Sequence, residues 1–82
     1  MKIYLFTSHV AIAGEFLGVN NSVHQTKEDA LKAFKIWRDG EMEYVRRDNW
    51  TIGTDTDDHF EAFEDGYWCT DHTEGFINEY EI

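Results

Sequence analysis

Thr26-Lys27-Glu28-Asp29-Ala30-Leu31-Lys32-Ala33-Phe34-Lys35-Ile36-Trp37-Arg38-Asp39-Gly40 is the stretch on which the fold turns. Thr26 is a good N-cap, and Asp29 three residues later makes a capping-box-like pair, although Glu or Gln is preferred there. Glu28 and Asp29 fall in the first turn, where the helix dipole favours negative charge. Ala30, Leu31, Ala33, Phe34 and Trp37 share one face at helical spacing, while Lys32, Lys35 and Arg38 lie toward the other side. Gly40 reads as the C′ residue. The pattern predicts one helix over about 27–39, whose apolar face needs a cover.

On either side of this helix the period drops to two. Residues 2–7 alternate, with Ile3 and Leu5 on one face and Tyr4 and Phe6 on the other, which places this strand centrally in a sheet. Residues 8–13 read as a connection or strand end. Gly14 opens a second strand, Glu15 to Val19, which Asn20-Asn21-Ser22 closes. Beyond Gly40, Met42 and Tyr44 alternate with Glu41, Glu43 and Val45, and Trp50 and Ile52 resume a strand. Residues 53–58 read as a polar loop. Phe60 and Ala62, then Tyr67, Trp68 and Cys69, suggest a hairpin around Glu64-Asp65-Gly66. Thr73-Glu74-Gly75 reads as another turn. In the last stretch Phe76, Tyr80 and Ile82 face one way and Glu79 and Glu81 the other, as in a half-buried strand. The expected fold is α+β: a single domain over residues 1–82, with an antiparallel sheet and the helix on one face. Phe34 and Trp37 are expected to fill the space between them.

The core of an 82-residue chain is marginal, and large side chains compensate, with aromatics at 16%. There is no proline, and a lone cysteine, Cys69, excludes an internal disulfide, which suits a reducing cytosol. Met1 to Phe6 is too short for a signal peptide and reads as a strand. No apolar run approaches the ~20 residues of a membrane span. The expected location is the bacterial cytoplasm.

Charge is segregated. Residues 1–47 hold seven basic and six acidic side chains, whereas residues 48–82 hold eleven carboxylates and no Lys or Arg. The net charge of −10 is therefore the property of one segment, and aromatic residues run through it. That mixture fits a folded acidic face better than a disordered tail. Such a surface argues against direct nucleic-acid binding and against anionic membranes, because phosphate contacts need Lys and Arg. It points to a basic protein partner.

Motifs for chemistry are sparse. Cys69 and His72 form a C-x-x-H pair, with His59 and His24 elsewhere, but a zinc site usually draws on more than one close pair. Cys69 follows Trp68 in an apolar run and reads as a small core residue. Asp55-Thr56-Asp57-Asp58 begins like an EF-hand loop, yet Phe60 stands where glycine is needed and Gly66 where a bidentate Glu is needed. Cys69 with His72 or His59 is the one nucleophile pairing on offer, and its acidic setting raises rather than lowers a thiol pKa. There is no Gly-rich phosphate loop. No metal, cofactor or catalytic residue is expected, and the chain reads as a non-enzyme.

The acidic face then stands alone. Solubility by itself would account for net negative charge. The arrangement says more. Glu79 and Glu81, two apart on a strand, project to one side about 6.6 Å apart, a spacing comparable with neighbouring phosphates on one strand. Asp55, Asp57 and Asp58 form a second cluster, and Glu61, Glu64 and Asp65 a third. Trp50 and Trp68 in the same segment are candidate interface anchors. In size, charge pattern, the helix at Thr26–Gly40 and the terminal strand Phe76–Ile82, the chain resembles the small acidic anti-defence proteins of phages. These include anti-CRISPR proteins, anti-restriction proteins of the DNA-mimic type and uracil-DNA glycosylase inhibitors. The resemblance implies a stoichiometric inhibitor that occupies a basic nucleic-acid-binding groove, or blocks a neighbouring surface, and does no chemistry. An immunity protein or antitoxin against a basic nuclease toxin is the alternative, and a small metal- or Cys-dependent enzyme the third class. Lys32, Lys35, Arg38, Arg46 and Arg47 either pair within the molecule or form a dimer contact. Sequence leaves monomer and homodimer both open.

Overall fold

In the computed structural model, which describes residues 1–12, 15–64 and 71–82 (backbone only at 15–17), the elements follow as β1 (Lys2–Ile12), β2 (Glu15–His24), α1 (Lys27–Asp48), β3 (Thr51–Asp55), β4 (His59–Phe63) and β5 (His72–Glu81). The strands form one sheet in the order β2-β1-β5-β4-β3. Every pairing is antiparallel. The helix packs on one face, in contact with β1, β5, β2 and β4. This is the expected α+β layering of one helix on an antiparallel sheet, and β1 is interior, as its two apolar faces require.

The register decides which residues meet the helix. Phe6 pairs with Ile77, Ser8 with Gly75 and Val10 with Thr73. Phe60 pairs with Gly75 and Ala62 with Thr73. These positions share one face because side chains alternate along a strand. Phe6, Phe34, Met42, Val45, Phe60 and Ala62 make the core, with Ala33, Trp37, Trp50 and Ile77 packed against it. Trp37 is the hub: its ring lies 5.7 Å from Phe6, 5.9 Å from Phe34 and 6.0 Å from Phe60. Phe34 and Trp37 thus fill the helix–sheet space. Burying a side chain such as Phe34 or Phe60 stabilises by about 1.5–3 kcal/mol.

The helix begins where the sequence places it, with the Asp29 amide donating to Thr26 Oγ1 at 3.1 Å. It does not end at Gly40. It runs to Asp48 and closes at Asn49, a left-handed residue at φ 57° whose amide donates to Val45. The apparent strand at 41–45 is the helix's last two turns: Phe34, Met42 and Val45 continue its buried face. Gly40 is exposed and internal, so its C′ reading fails.

Five further readings differ from the structure. Residues 8–12 belong to β1, and Asn20-Asn21-Ser22 lie inside β2. As an edge strand, β2 tolerates these polar residues. Gly53 to Asp55 belong to β3 rather than to a loop, and Thr73-Glu74-Gly75 are part of β5 rather than a turn. Gly75 is there because the Trp37 ring lies on it. The faces of β5 alternate as read, but the half-buried side is the one bearing Thr73, Gly75 and Ile77. Phe76 and Tyr80 stand on the uncovered face. Tyr67, Trp68 and Cys69 lie outside the described residues. The described partner of β4 in that hairpin is β5, with the Glu64 amide donating to the Asp71 carbonyl at 2.8 Å.

The two glycines predict opposite responses. A Cβ at Gly40 meets nothing within 4 Å. Gly40→Ala should therefore stabilise the fold by about 0.5–1 kcal/mol through helix propensity. A Cβ at Gly75 would stand 2.6 Å from Trp37 Cη2. Gly75→Ala should destabilise by about 1–3 kcal/mol, as overpacked cores do. Urea unfolding of the two variants checks both signs.

Candidate functional site

The eight sequence-predicted carboxylates do not form one face. Asp57 and Asp58 are exposed in the β3–β4 turn. The Ile77 amide donates to the Asp58 carbonyl at 3.0 Å, which sets this turn beside the strand that carries Glu79 and Glu81. Asp57, Asp58, Glu79 and Glu81 therefore gather at one end of the sheet. Glu64 follows β4 at the opposite end, six residues and roughly 20 Å of strand away. Asp65 and Trp68 lie outside the described residues. Trp50 is half-buried against the core, with its ring 5.8 Å from that of Tyr44.

Several of these groups already have partners. Asp55 receives two hydrogen bonds from Arg38, at 2.7 and 2.6 Å. That fork holds the Asp55 carboxyl below its ordinary range and raises the guanidinium. Glu79 lies 3.8 Å from Lys2 Nζ, and Glu81 lies 3.7 Å from the amino terminus, both exposed and weak pairs. Glu79 also bonds the Tyr4 phenol and raises its pKa, chiefly through that hydrogen bond. Among the described residues no cation stands within ion-pair distance of Asp57, Asp58 or Glu64. Of Lys32, Lys35, Arg38, Arg46 and Arg47, Arg38 and Arg47 pair within the described molecule, Arg47 with Asp48.

Glu61 belongs to a different group. The face of the sheet away from the helix presents His9 from β1, His59 and Glu61 from β4, and His72 and Glu74 from β5. Two His-x-Glu triplets, 59–61 and 72–74, run antiparallel with Glu61 opposite Glu74. Each histidine therefore meets the other strand's glutamate on the diagonal. His59 Nε2 is 2.7 Å from Glu74 Oε2, and His72 Nε2 is 3.0 Å from Glu61 Oε2. His9 pairs directly with Glu74, Nε2 to Oε1 at 3.4 Å. The rings of His9 and His72 are 5.3 Å apart. His9, His72 and Glu74 can bring one ligand atom each within 4.8 Å of the others, as a metal ion would require. The Cys69–His72 spacing that the sequence offers, and that reads as a core cysteine rather than a ligand pair, involves a residue outside the described ones. His9 had no part in the sequence reading. The His-x-Glu repeat was a usable signal, since a two-residue spacing puts both side chains on one face of a strand, but adding His9 needs the β1–β5 register.

A third feature lies under the helix. A cavity of about 220 Å³ is lined by Val10, Ile12, Glu41, Tyr44, Trp50, Asp71 and Thr73. Trp50 Nε1 and Thr73 Oγ1 are buried without a hydrogen-bond partner. Burial pushes the Glu41 carboxyl above its ordinary range, and the Thr73 hydroxyl offsets part of this by favouring the carboxylate without reaching hydrogen-bonding geometry.

No helix of the described chain is long and apolar enough to cross a membrane. Neither a family model, nor a curated protein, nor a solved structure matches this chain.

Glu41 gives a pH prediction. Its folded pKa lies above its unfolded value, so the folded state holds the proton longer and loses relative stability as pH rises through that interval. The full penalty applies once pH has risen past the folded pKa. Glu41→Gln should raise Tm at pH 7, and the gain should vanish as pH falls below the carboxylate range. Thermal melts of both proteins from pH 3 to 8 check the convergence.

Proposed function

We propose that this protein acts by binding, as a small acidic inhibitor that engages a basic, nucleic-acid-binding surface of a bacterial defence or nucleic-acid enzyme. Its setting in this reading is the cytoplasm of a bacterial host, its source a phage, and it performs no chemistry. The observation that supports it is the gathering of Asp57, Asp58, Glu79 and Glu81 at one end of the sheet, with Asp57 and Asp58 lacking a cation among the described residues.

Charge density refines what is imitated. The molecule extends 46 × 22 × 16 Å and carries −10. Duplex DNA of that length would bear roughly 27 charges at one per ~1.7 Å, and a single strand roughly 14 at one per ~3.4 Å. The protein is far below the first and near the second. A groove that holds one strand is the better electrostatic match. Concentrated like charge costs stability through self-repulsion, and a basic groove would relieve it.

The test is a pull-down from bacterial lysate with the tagged protein, followed by competition. The expected result is a nucleic-acid-binding protein held at low salt, released at high salt, and displaced by a single-stranded oligonucleotide more readily than by a duplex. A triple substitution, Asp57→Lys, Asp58→Lys and Glu79→Lys, should weaken capture on the order of 100-fold or more, since like charges across an interface cost several kcal/mol. A folded triple variant that binds as well as the parent would defeat this reading.

A further inference from the structure

We infer that the uncovered face of the sheet is a transition-metal site, with His9, His72 and Glu74 as ligands and zinc as the first candidate ion. This inference is independent of the inhibitor reading, because it rests on other residues on another face.

The donor set comes first. Two imidazoles and a carboxylate are the three-ligand set of zinc sites that keep a fourth position open for water or a further ligand. Imidazole nitrogen favours zinc, copper and nickel over magnesium and calcium, which prefer all-oxygen shells. Geometry follows. Ligand atoms around a tetrahedral zinc stand roughly 3.3 Å apart, given bonds of ~2.0–2.1 Å. His9 Nε2 and Glu74 Oε1 are 3.4 Å apart already. All three ligand atoms fall within 4.8 Å, so small side-chain rotations suffice to close the triangle. The site is also sheltered: His9, Glu74 and His72 side chains are 15, 20 and 25% exposed.

The surroundings add two features that a metal site needs. Glu61 stands against His72 at 3.0 Å, and His59 stands against the second oxygen of Glu74 at 2.7 Å. Ligands held from behind in this way are oriented and more basic, and such partners are commonly worth 10–100-fold in affinity. The second feature is charge. Glu61 and Glu74 lie directly opposite one another on paired strands in a protein of net charge −10. Facing like charges destabilise a strand pair. A divalent ion at Glu74 would remove that repulsion and tie β1 to β5.

The chemistry also distinguishes this cluster from the carboxylates elsewhere. Asp57, Asp58, Glu79 and Glu81 offer oxygen alone on exposed side chains, whereas nitrogen ligands enter at His9 and His72. Zinc should therefore discriminate between the two regions where magnesium would not.

Zinc titration of the full chain, with a chromophoric chelator as competitor, tests the inference. The expected result is one tight site per chain, at least tenfold stronger for zinc than for magnesium. His9→Ala and Glu74→Gln should each weaken it at least tenfold, and Glu61→Gln by about tenfold. Glu74→Gln keeps the shape of the side chain, so a misfolded His9→Ala does not leave the question open. His24→Ala and Cys69→Ser should leave the affinity unchanged. Cobalt(II) should give the intense visible absorption of a four-coordinate site in the parent and lose it in Glu74→Gln. Equal affinity for magnesium, unchanged zinc binding in both ligand variants, or loss in Cys69→Ser with retention in His9→Ala would each overturn the assignment.

Discussion

The Trp37 indole lying on the bare backbone of Gly75 is the contact on which the rest of this structure depends. Gly75 sits in β5, the middle strand of five, so the helix is centred over the sheet. Any side chain there would lift Trp37, and with it the ring contacts to Phe6 and Phe60. A domain this small has few alternative sources of burial. The same contact fixes polarity of the whole sheet. Once Gly75 faces the helix, strand alternation turns Thr73 and Ile77 inward and His72, Glu74 and Phe76 outward. The register then brings His9, His59 and Glu61 out beside them. The histidine–glutamate cluster is thus a geometric consequence of where the tryptophan lands.

The fold class was legible because it rests on local patterns: a capped helix with one apolar face, between stretches of period two. The errors came where one residue type serves two physical ends. Glycine marks turns and helix ends, yet Gly40 is an exposed helix interior and Gly75 a seat for a ring. Met42 and Tyr44 fit a strand as well as Met42 and Val45 fit a helix, and over five residues sequence alone has no means to choose. The end of the helix is decided by what Met42 and Val45 pack against. Asn20-Asn21-Ser22 resembles a turn in composition, and only its place at a sheet edge makes it a strand.

The candidate sites divide in the same way. Sequence shows how many carboxylates there are and that they are confined to one segment. It does not show that Asp55 is held by Arg38 from the helix, or that Glu61 faces His72, eleven residues further along the chain. Pairings of this kind are set by register, and a one-residue slip would send each side chain to the other face. Among the described residues the acidic segment therefore includes groups that are neutralised (Asp55 and Asp48), grouped with imidazoles (Glu61, Glu74), and exposed at one end of the sheet (Asp57, Asp58, Glu79, Glu81) or at the other (Glu64).

This division bears on how the two proposals can both hold in one small molecule. The Asp57–Asp58 turn is exposed, and the cost of its charge is screened by salt because water reaches it. The pair Glu61 and Glu74 is more sheltered, so screening helps it less, and its compensation has to come from a cation at contact range. His9 and His72 can turn a lone pair toward a metal there, which places a full divalent charge between the strands. Charge that water can screen is suited to steering a partner from a distance. Charge that water cannot screen is suited to holding something in place. The sheet separates the two, with the exposed carboxylates at its end and the sheltered ones on its open face.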